Sequence, residues 1–419
     1  MIERTIVRWI LALLFLAITT YPSSPFFYQF LVGNPVYAYL VILFVFFICS
    51  ILLKNKAISI SPKARINTFS ILQALVGVSL LLTFMTTKNP TAVRDLLTYL
   101  VLWIFIFLVR DGAFIKVLRT KYLLASVLIA ISIIAYVLLL FSPEIRLDWF
   151  VSDLALDNEN PVVKRNTYGD FAYSMLFYHS VILYDSGTKN LLFSSIFSEP
   201  TYTFVFLLGP LFFYVRNDNF FGRLFIIVTI ASFLLFTLTV FATLTIIVGT
   251  LVGLVLLYIN PSLMTVKISV VLISVCFWLL GGTLFSEIVE LLPGDKSSQL
   301  NYYFGPEQIA ALASEGTFFG LANVPEGPSW GSSIVIFRYG YFGFLVYVSL
   351  IIFYLVEASK FLLHRELSKT KRFFSFMALF SATLMSVKTP NMLLITSLLI
   401  YVALGYLNKL KDSSGELPT

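Results

Sequence analysis

Charge is scarce in this chain. Asp, Glu, Lys and Arg together make up 12% of its 419 residues, against 58% hydrophobic ones. A soluble domain of this size carries about twice that share of charge, so an ordinary water-soluble enzyme is excluded. Long polar stretches are missing too: none exceeds roughly 60 residues, which leaves no room for a separate soluble domain. The two cysteines, Cys49 and Cys276, both fall inside apolar runs and read as small buried hydrophobes, with no disulfide framework or thiolate metal site. No internal duplication of the transporter kind is visible, and no filter motif of the channel kind. The net charge of +7 does not indicate nucleic acid, because the basic residues are scattered through short loops between apolar runs.

What the sequence has is apolar runs. Residues 1–21 resemble a signal peptide, but no small-x-small cleavage site follows and Tyr21-Pro22-Ser23-Ser24-Pro25 leads into more apolar sequence. They read as an uncleaved first span. Further runs are Val36–Leu53, Ile66–Met85, Val93–Val109, Tyr122–Phe141, Phe197–Val215, Gly222–Phe241, Thr243–Ile259, Lys267–Phe285, Ile334–Val356, Phe373–Lys388 and Asn391–Leu407. The expected fold is therefore all-α: a single polytopic membrane domain over residues 1–419 with about 12 transmembrane helices. Threading these with the N-terminus inside puts 20 of the 29 basic residues on the inner side and 15 of the 22 acidic ones on the outer side. That satisfies the positive-inside rule and makes both termini cytoplasmic. The two histidines, His179 and His364, then lie on opposite faces, which disfavours a metal site.

Two large outer loops result, residues 142–198 and 286–333. Within the first, Phe171–Tyr184 is apolar, yet at 14 residues it is too short to span, and spanning would turn the basic loop Lys360–Arg372 outward. It is expected to lie in the outer interface or to re-enter the membrane. Trp149, Tyr168, Tyr173, Tyr302, Tyr303 and Trp330 argue against disorder in these loops. They suit either an interfacial aromatic belt or a sugar-stacking surface.

The chain is organised around Ser198-Glu199-Pro200, where the first outer loop turns into an apolar run. Proline is tolerated in the first helical turn, Ser198 is a natural N-cap, and the Glu199 carboxylate sits where the helix dipole favours negative charge. A capped helix mouth and a functional carboxylate both fit these residues. Downstream, Thr237–Thr245 reads as a threonine-rich tight outer hairpin. After the second large loop, Phe318-Phe319-Gly320 leads to Phe337-Arg338-Tyr339-Gly340-Tyr341-Phe342-Gly343. Arg338 falls about one turn inside the outer face, where a cation costs a few kcal/mol unless it snorkels or finds a partner.

Taken together, Phe197-Ser198-Glu199-Pro200 opening a span, the threonine-rich hairpin, Phe319-Gly320 followed by Gly340-x-x-Gly343, and Pro390-Asn391 before the last run resemble the Wzy-type polysaccharide (O-antigen) polymerases, within the O-antigen polymerase/ligase superfamily. The resemblance implies an enzyme of the bacterial inner membrane, with both large loops periplasmic. Its substrates would be undecaprenyl-diphosphate-linked oligosaccharides, polymerised into a surface polysaccharide of O-antigen or capsule type by glycosyl transfer. It implies no bound cofactor and no metal, membrane lipid as surroundings, no nucleic acid, and room for a chain-length regulator as partner. Such chemistry needs cations at the departing diphosphate and a base for the sugar hydroxyl. The candidates are Arg165, Lys189 and Arg338 for the diphosphate. Glu199 is the candidate base or acceptor-orienting group, with Asp170 in reserve and His179 as a further acid/base candidate.

Two alternatives stand beside this one. A lipid-linked oligosaccharide flippase matches the span count. An O-antigen ligase belongs to the same superfamily, but Pro328-Ser329-Trp330-Gly331 lacks the histidine that ligases commonly place before the corresponding span. Lipid-linked glycosyltransferases with an acidic first outer loop are disfavoured, since Pro22–Pro35 contains no Asp or Glu.

Overall fold

The helices bury polar side chains among apolar ones and carry large apolar side chains on their exposed faces. The computed structural model describes residues 2–20, 68–88, 95–97, 99–100, 111–141, 171–174, 177–183, 189–195, 200–214, 224, 227, 231, 240–274, 318–320, 331–388 and 393–414. In chain order the described elements are α1 (Ile2–Thr20), α2 (Thr68–Thr87), α3 (Asp111–Phe141), strands β1 (Phe171–Ser174), β2 (Phe177–Leu183) and β3 (Lys189–Ser195), α4 (Pro200–Tyr214), α5 (Val240–Ile259), α6 (Leu263–Ser274), α7 (Gly331–Leu363), α8 (Lys369–Lys388) and α9 (Leu393–Ser414). Among the described residues, three helices are long and apolar enough to cross a bilayer: Thr68–Thr87, Ile115–Ile134 and Arg338–Leu363. The chain is thus a helical membrane protein. It divides into two compact units interleaved in sequence: residues 1–62, 104–251 and 405–419 form one, and residues 63–103 and 252–404 form the other.

Helix α2, in the second unit, shows this pattern most clearly. Ser70, Gln73, Ser79 and Thr83 are buried, while Ile71, Leu75, Val78, Leu81 and Met85 are exposed at helical spacing. Such a stripe would be an aggregation surface in water and is a natural lipid face in a membrane. The buried polar groups bond across helices. Gln73 Nε2 donates to Tyr354 Oη at 2.8 Å, and the Tyr354 and Ser397 hydroxyls lie 2.6 Å apart. Phe69 meets Tyr401 and Gln73 meets Ser397, so α2 and α9 run antiparallel. Tyr347 ties α7 to α8 by donating to the Ser386 carbonyl at 2.8 Å. Interhelical bonds of this kind average about 0.6 kcal/mol in membranes. Their larger effect is to fix helix register where apolar side chains would slide.

Local chemistry sets the helix ends. Lys88 closes α2 and Asn260 closes α5 in the left-handed conformation, each amide bonding back to the carbonyl four residues earlier. Pro261 then blocks continuation, and the Ser262 hydroxyl caps α6 by accepting from Thr265 N at 3.1 Å. Between α7 and α8, Arg372 Nη1 donates to the Leu362 carbonyl at 3.0 Å, satisfying a helix-end acceptor. The threonine-rich segment differs from expectation in part. Val240 already begins α5, so Thr243 and Thr245 are helical, and Thr237 and Thr239 lie outside the described residues.

In the first unit, α1 packs on α3, and α3 on α4. Helix α4 starts at Pro200, the position its missing N–H suits. Every residue from Thr203 to Phe212 is buried, so this stretch of α4 is enclosed on all sides by protein. The loop 142–198 adds something the all-α expectation lacked. Residues expected to lie flat or re-enter form β1 and β2 of a three-stranded antiparallel sheet in the order β1-β2-β3. Aromatic and β-branched residues such as Phe171, Tyr173, Tyr178, Val181 and Ile182 favour a pleated surface. The sequence Asp185-Ser186-Gly187 between β2 and β3 has the composition of a turn.

Where α3 crosses α4, a Cβ on Gly209 would stand 2.1 Å from the Tyr122 ring. Gly209→Ala is therefore expected to cost about 1–3 kcal/mol through overpacking, read as a lower melting temperature in detergent. The loss should shrink in a Tyr122→Ala background, where the ring is gone.

Candidate functional site

A membrane helix keeps its backbone groups bonded along its own length, so an interruption must be repaired from outside. Helix α7 is interrupted at Gly340, whose φ of 68° and ψ of −172° are not helical. The repair comes from residues 318–320. Phe342 N donates to the Phe318 carbonyl at 3.2 Å. Gly320, with φ of 99°, brings its backbone against the end of the first half-helix. A Cβ at Gly320 would lie 2.2 Å from the Arg338 carbonyl oxygen, and one at Gly340 would lie 2.3 Å from the Phe318 carbonyl oxygen. Only glycine fits either place. The rings of Phe318, Phe319 and Phe342 pack around the junction at centroid separations of 4.9–6.4 Å.

Arg338 stands two residues before this break, half-buried, within a helix apolar enough to span. The end of a half-helix carries partial negative charge, which favours a cation there. No carboxylate among the described residues forms an ion pair with it. Its neighbour Tyr339 donates from Oη to Asp95 Oδ2 at 2.6 Å. One helical turn beyond Asp95, Tyr99 is buried and lies near Ser397, Tyr354, Tyr339 and Asp95. Tyr99 thus stands between the Tyr339–Asp95 pair and the Gln73–Tyr354–Ser397 network. Gln73 is 1% exposed, and its Oε1 has no partner among the described residues.

Of the six residues singled out from the sequence, Arg338 has a described side chain. His179 sits in β2, opposite Ala172 and Phe193, and Lys189 opens β3 opposite Leu183. Both belong to the first unit, whereas Arg338 belongs to the second. Arg165, Asp170 and Glu199 lie outside the described residues, Glu199 immediately before the first residue of α4. The residues sequence reasoning missed are Asp95 and Tyr339. Tyr339 lay within the quoted motif, between Arg338 and Gly340. Asp95 had only its place beside Arg94, at the outer start of the Val93–Val109 run, to recommend it. No cluster of His, Cys, Asp and Glu able to hold a metal occurs among the described residues. A cation and a hydrogen-bonded carboxylate flanking a helix break form a site suited to an anionic, hydroxyl-bearing ligand. No protein-family model, curated protein or solved structure matches the chain.

The junction makes a graded prediction. Gly340→Ala and Gly320→Ala should each destabilise the protein by about 1–3 kcal/mol or more, from strain at positive φ compounded by a clash with backbone. Gly77→Ala in α2, where nothing lies within 4 Å of the added Cβ, should be neutral or stabilising by up to about 1 kcal/mol. Thermal unfolding of the three variants in one detergent tests the contrast.

Proposed function

We propose that this chain is a twelve-span enzyme of the bacterial inner membrane that polymerises undecaprenyl-diphosphate-linked oligosaccharide repeat units at the periplasmic face. The observation that carries the reading is Arg338: a cation on an interrupted membrane helix, next to a break held open by two glycines. In glycosyl transfer from a lipid diphosphate, negative charge grows on the leaving group, and a guanidinium is the side chain best shaped to receive it. The anomeric carbon separates from the diphosphate oxygen as the acceptor hydroxyl attacks, and a carboxylate takes the hydroxyl proton. Arg165 and Lys189 are the further cations of this proposal, and Glu199 its candidate base or acceptor-orienting group, with Asp170 and His179 in reserve. A chain-length regulator is an optional partner.

The broken helix also favours a second reading. Transporters place substrate sites at discontinuous helices, so a flippase for the same lipid is the alternative to test. Purified protein in nanodiscs, given undecaprenyl-diphosphate-linked repeat units without nucleotide or metal, is expected to yield a product ladder on a gel. Arg338→Ala should lower the rate by about 100-fold or more, as for loss of a charge-stabilising donor, and Arg338→Lys should restore part of it. Absence of a ladder from folded wild-type protein, with flipping of the lipid in sealed vesicles, would replace the polymerase by the transporter. Capping of a lipid acceptor by a single transfer, without a ladder, would mean a ligase.

A further inference from the structure

The hairpin joining α7 to α8 gathers positive charge that the helix break does not use. We propose that its tip binds the phosphate of an anionic membrane phospholipid, with Arg365 and Lys369 reaching the headgroup and Arg372 fixed beneath them. The site stands independently of the polymerase reading.

Residues Lys360–Arg372 include three lysines and two arginines against a single acid, Glu366. They straddle the end of the span Arg338–Leu363, where hydrocarbon gives way to headgroups. A cluster of about four to eight basic residues beside a span is a recurrent signature of binding to anionic headgroups. Charge that served only as a topological label would need no particular arrangement, and here there is one. Lys360 is already taken by Glu357. Arg365 and Lys369 are exposed and form no ion pair among the described residues, although the exposed Glu366 adjoins Arg365 in sequence. Helix α8 then opens with Lys369, Lys371 and Arg372 in its first turn and no acid there. That is the positive end of the helix dipole, so these cations are repelled by it and by one another. An anion from outside the chain relieves the repulsion.

The hairpin also holds its cations in place. Leu367 N donates to the His364 carbonyl at 3.2 Å, closing the turn, and Arg372 Nη1 donates to the Leu362 carbonyl at 3.0 Å. Arg372 is thereby pinned level with the last residues of α7. Arg365 and Lys369, four residues apart across the closed turn, stand at one tip. Both side chains are long enough to converge on one phosphate there, and a closed turn loses less entropy on binding than a flexible basic tail. Directly after the cations come Phe373 and Phe374, half-buried, with ring centroids 5.7 Å apart. Cations bordered by partly exposed rings match a phosphate joined to acyl chains. A soluble phosphate would use only the cations.

Labelled phosphatidylglycerol and phosphatidylcholine with identical acyl chains, titrated into the purified full chain in detergent, test the site. Wild type is expected to bind phosphatidylglycerol about tenfold or more tightly, with the preference falling as salt rises. Arg365→Gln and Lys369→Gln should each weaken phosphatidylglycerol about fivefold and leave phosphatidylcholine unchanged. Lys88→Gln is the control. Gln73 of α2 meets Tyr354 and Ser79 meets Gly343, so α2 runs antiparallel to α7 and Lys88 lies at the opposite end of α7 from the hairpin. Its substitution should change the affinity by less than about twofold. Equal affinity of the wild type for the two lipids would overturn the proposal, as would a Lys88→Gln effect as large as that of Lys369→Gln. Displacement of the bound lipid by inorganic phosphate at constant ionic strength would transfer the site to a soluble phosphate compound and overturn the lipid assignment. Should the neutral variants fail to fold, the wild-type salt series decides: an affinity for phosphatidylglycerol that did not fall with salt would overturn the site on its own.

Discussion

One backbone hydrogen bond, from Phe342 N to the Phe318 carbonyl, carries the logic of the second unit. Inside a bilayer an unbonded peptide group costs several kcal/mol, so a spanning helix is interrupted only where something else supplies the missing partner. Here the supplier is a short turn brought within van der Waals contact of the helix, and that approach leaves space only for glycine on both sides. The interruption, the turn and the two glycines are one device. Its consequence is that Arg338 and Tyr339 stand at the end of a half-helix instead of in the middle of a continuous one.

The interior behind that device contains a cluster of hydrogen-bonded polar side chains. Gln73, Tyr354, Ser397 and Tyr99 are buried together, and the hydroxyls of Thr383 and Ser386 bond back to carbonyls of their own helix. In water, apolar contact would drive these helices together; among lipid tails it gives little net attraction, and small side chains with directional bonds take over. This explains why α2 can present Gln73 and Thr83 to its neighbours and leucines to its surroundings. It is also consistent with a carboxylate, that of Asp95, held by the Tyr339 phenol close to the same network.

Much of this was legible in the sequence, for identifiable reasons. Hydropathy marks where a helix must be, so Ile66–Met85 anticipated α2 to within two residues at either end. Proline and serine mark where helices start, and α4 begins at Pro200. The Phe319-Gly320 and Gly340-x-x-Gly343 pattern was visible as a motif, and the structure brings its two parts into contact. Asp95 was not legible, because the bond that gives it meaning joins residues far apart in the chain. The β-sheet was missed because Phe171–Tyr184 is both apolar and aromatic, and short apolar runs of that kind do not distinguish a strand from an interfacial segment.

Helix α3 shows the same limit from the charged side. Its apolar run begins at Tyr122, yet the helix begins at Asp111, because Lys116, Arg119 and Lys121 are good helix formers whatever their hydropathy. Counted as an inner-loop cation, Lys121 is instead fully buried, its Nζ 4.7 Å from the centroid of the Tyr122 ring and 5.1 Å from that of Phe206. Two aromatic faces offset part of the cost of burying an ammonium group, by about 2 kcal/mol when desolvated. That requires α4 to deliver Phe206 at this level, and the close approach of Gly209 to Tyr122 allows it to do so. A residue that the positive-inside rule treats as a topological label thus becomes, in the folded protein, a constraint on how two helices pack.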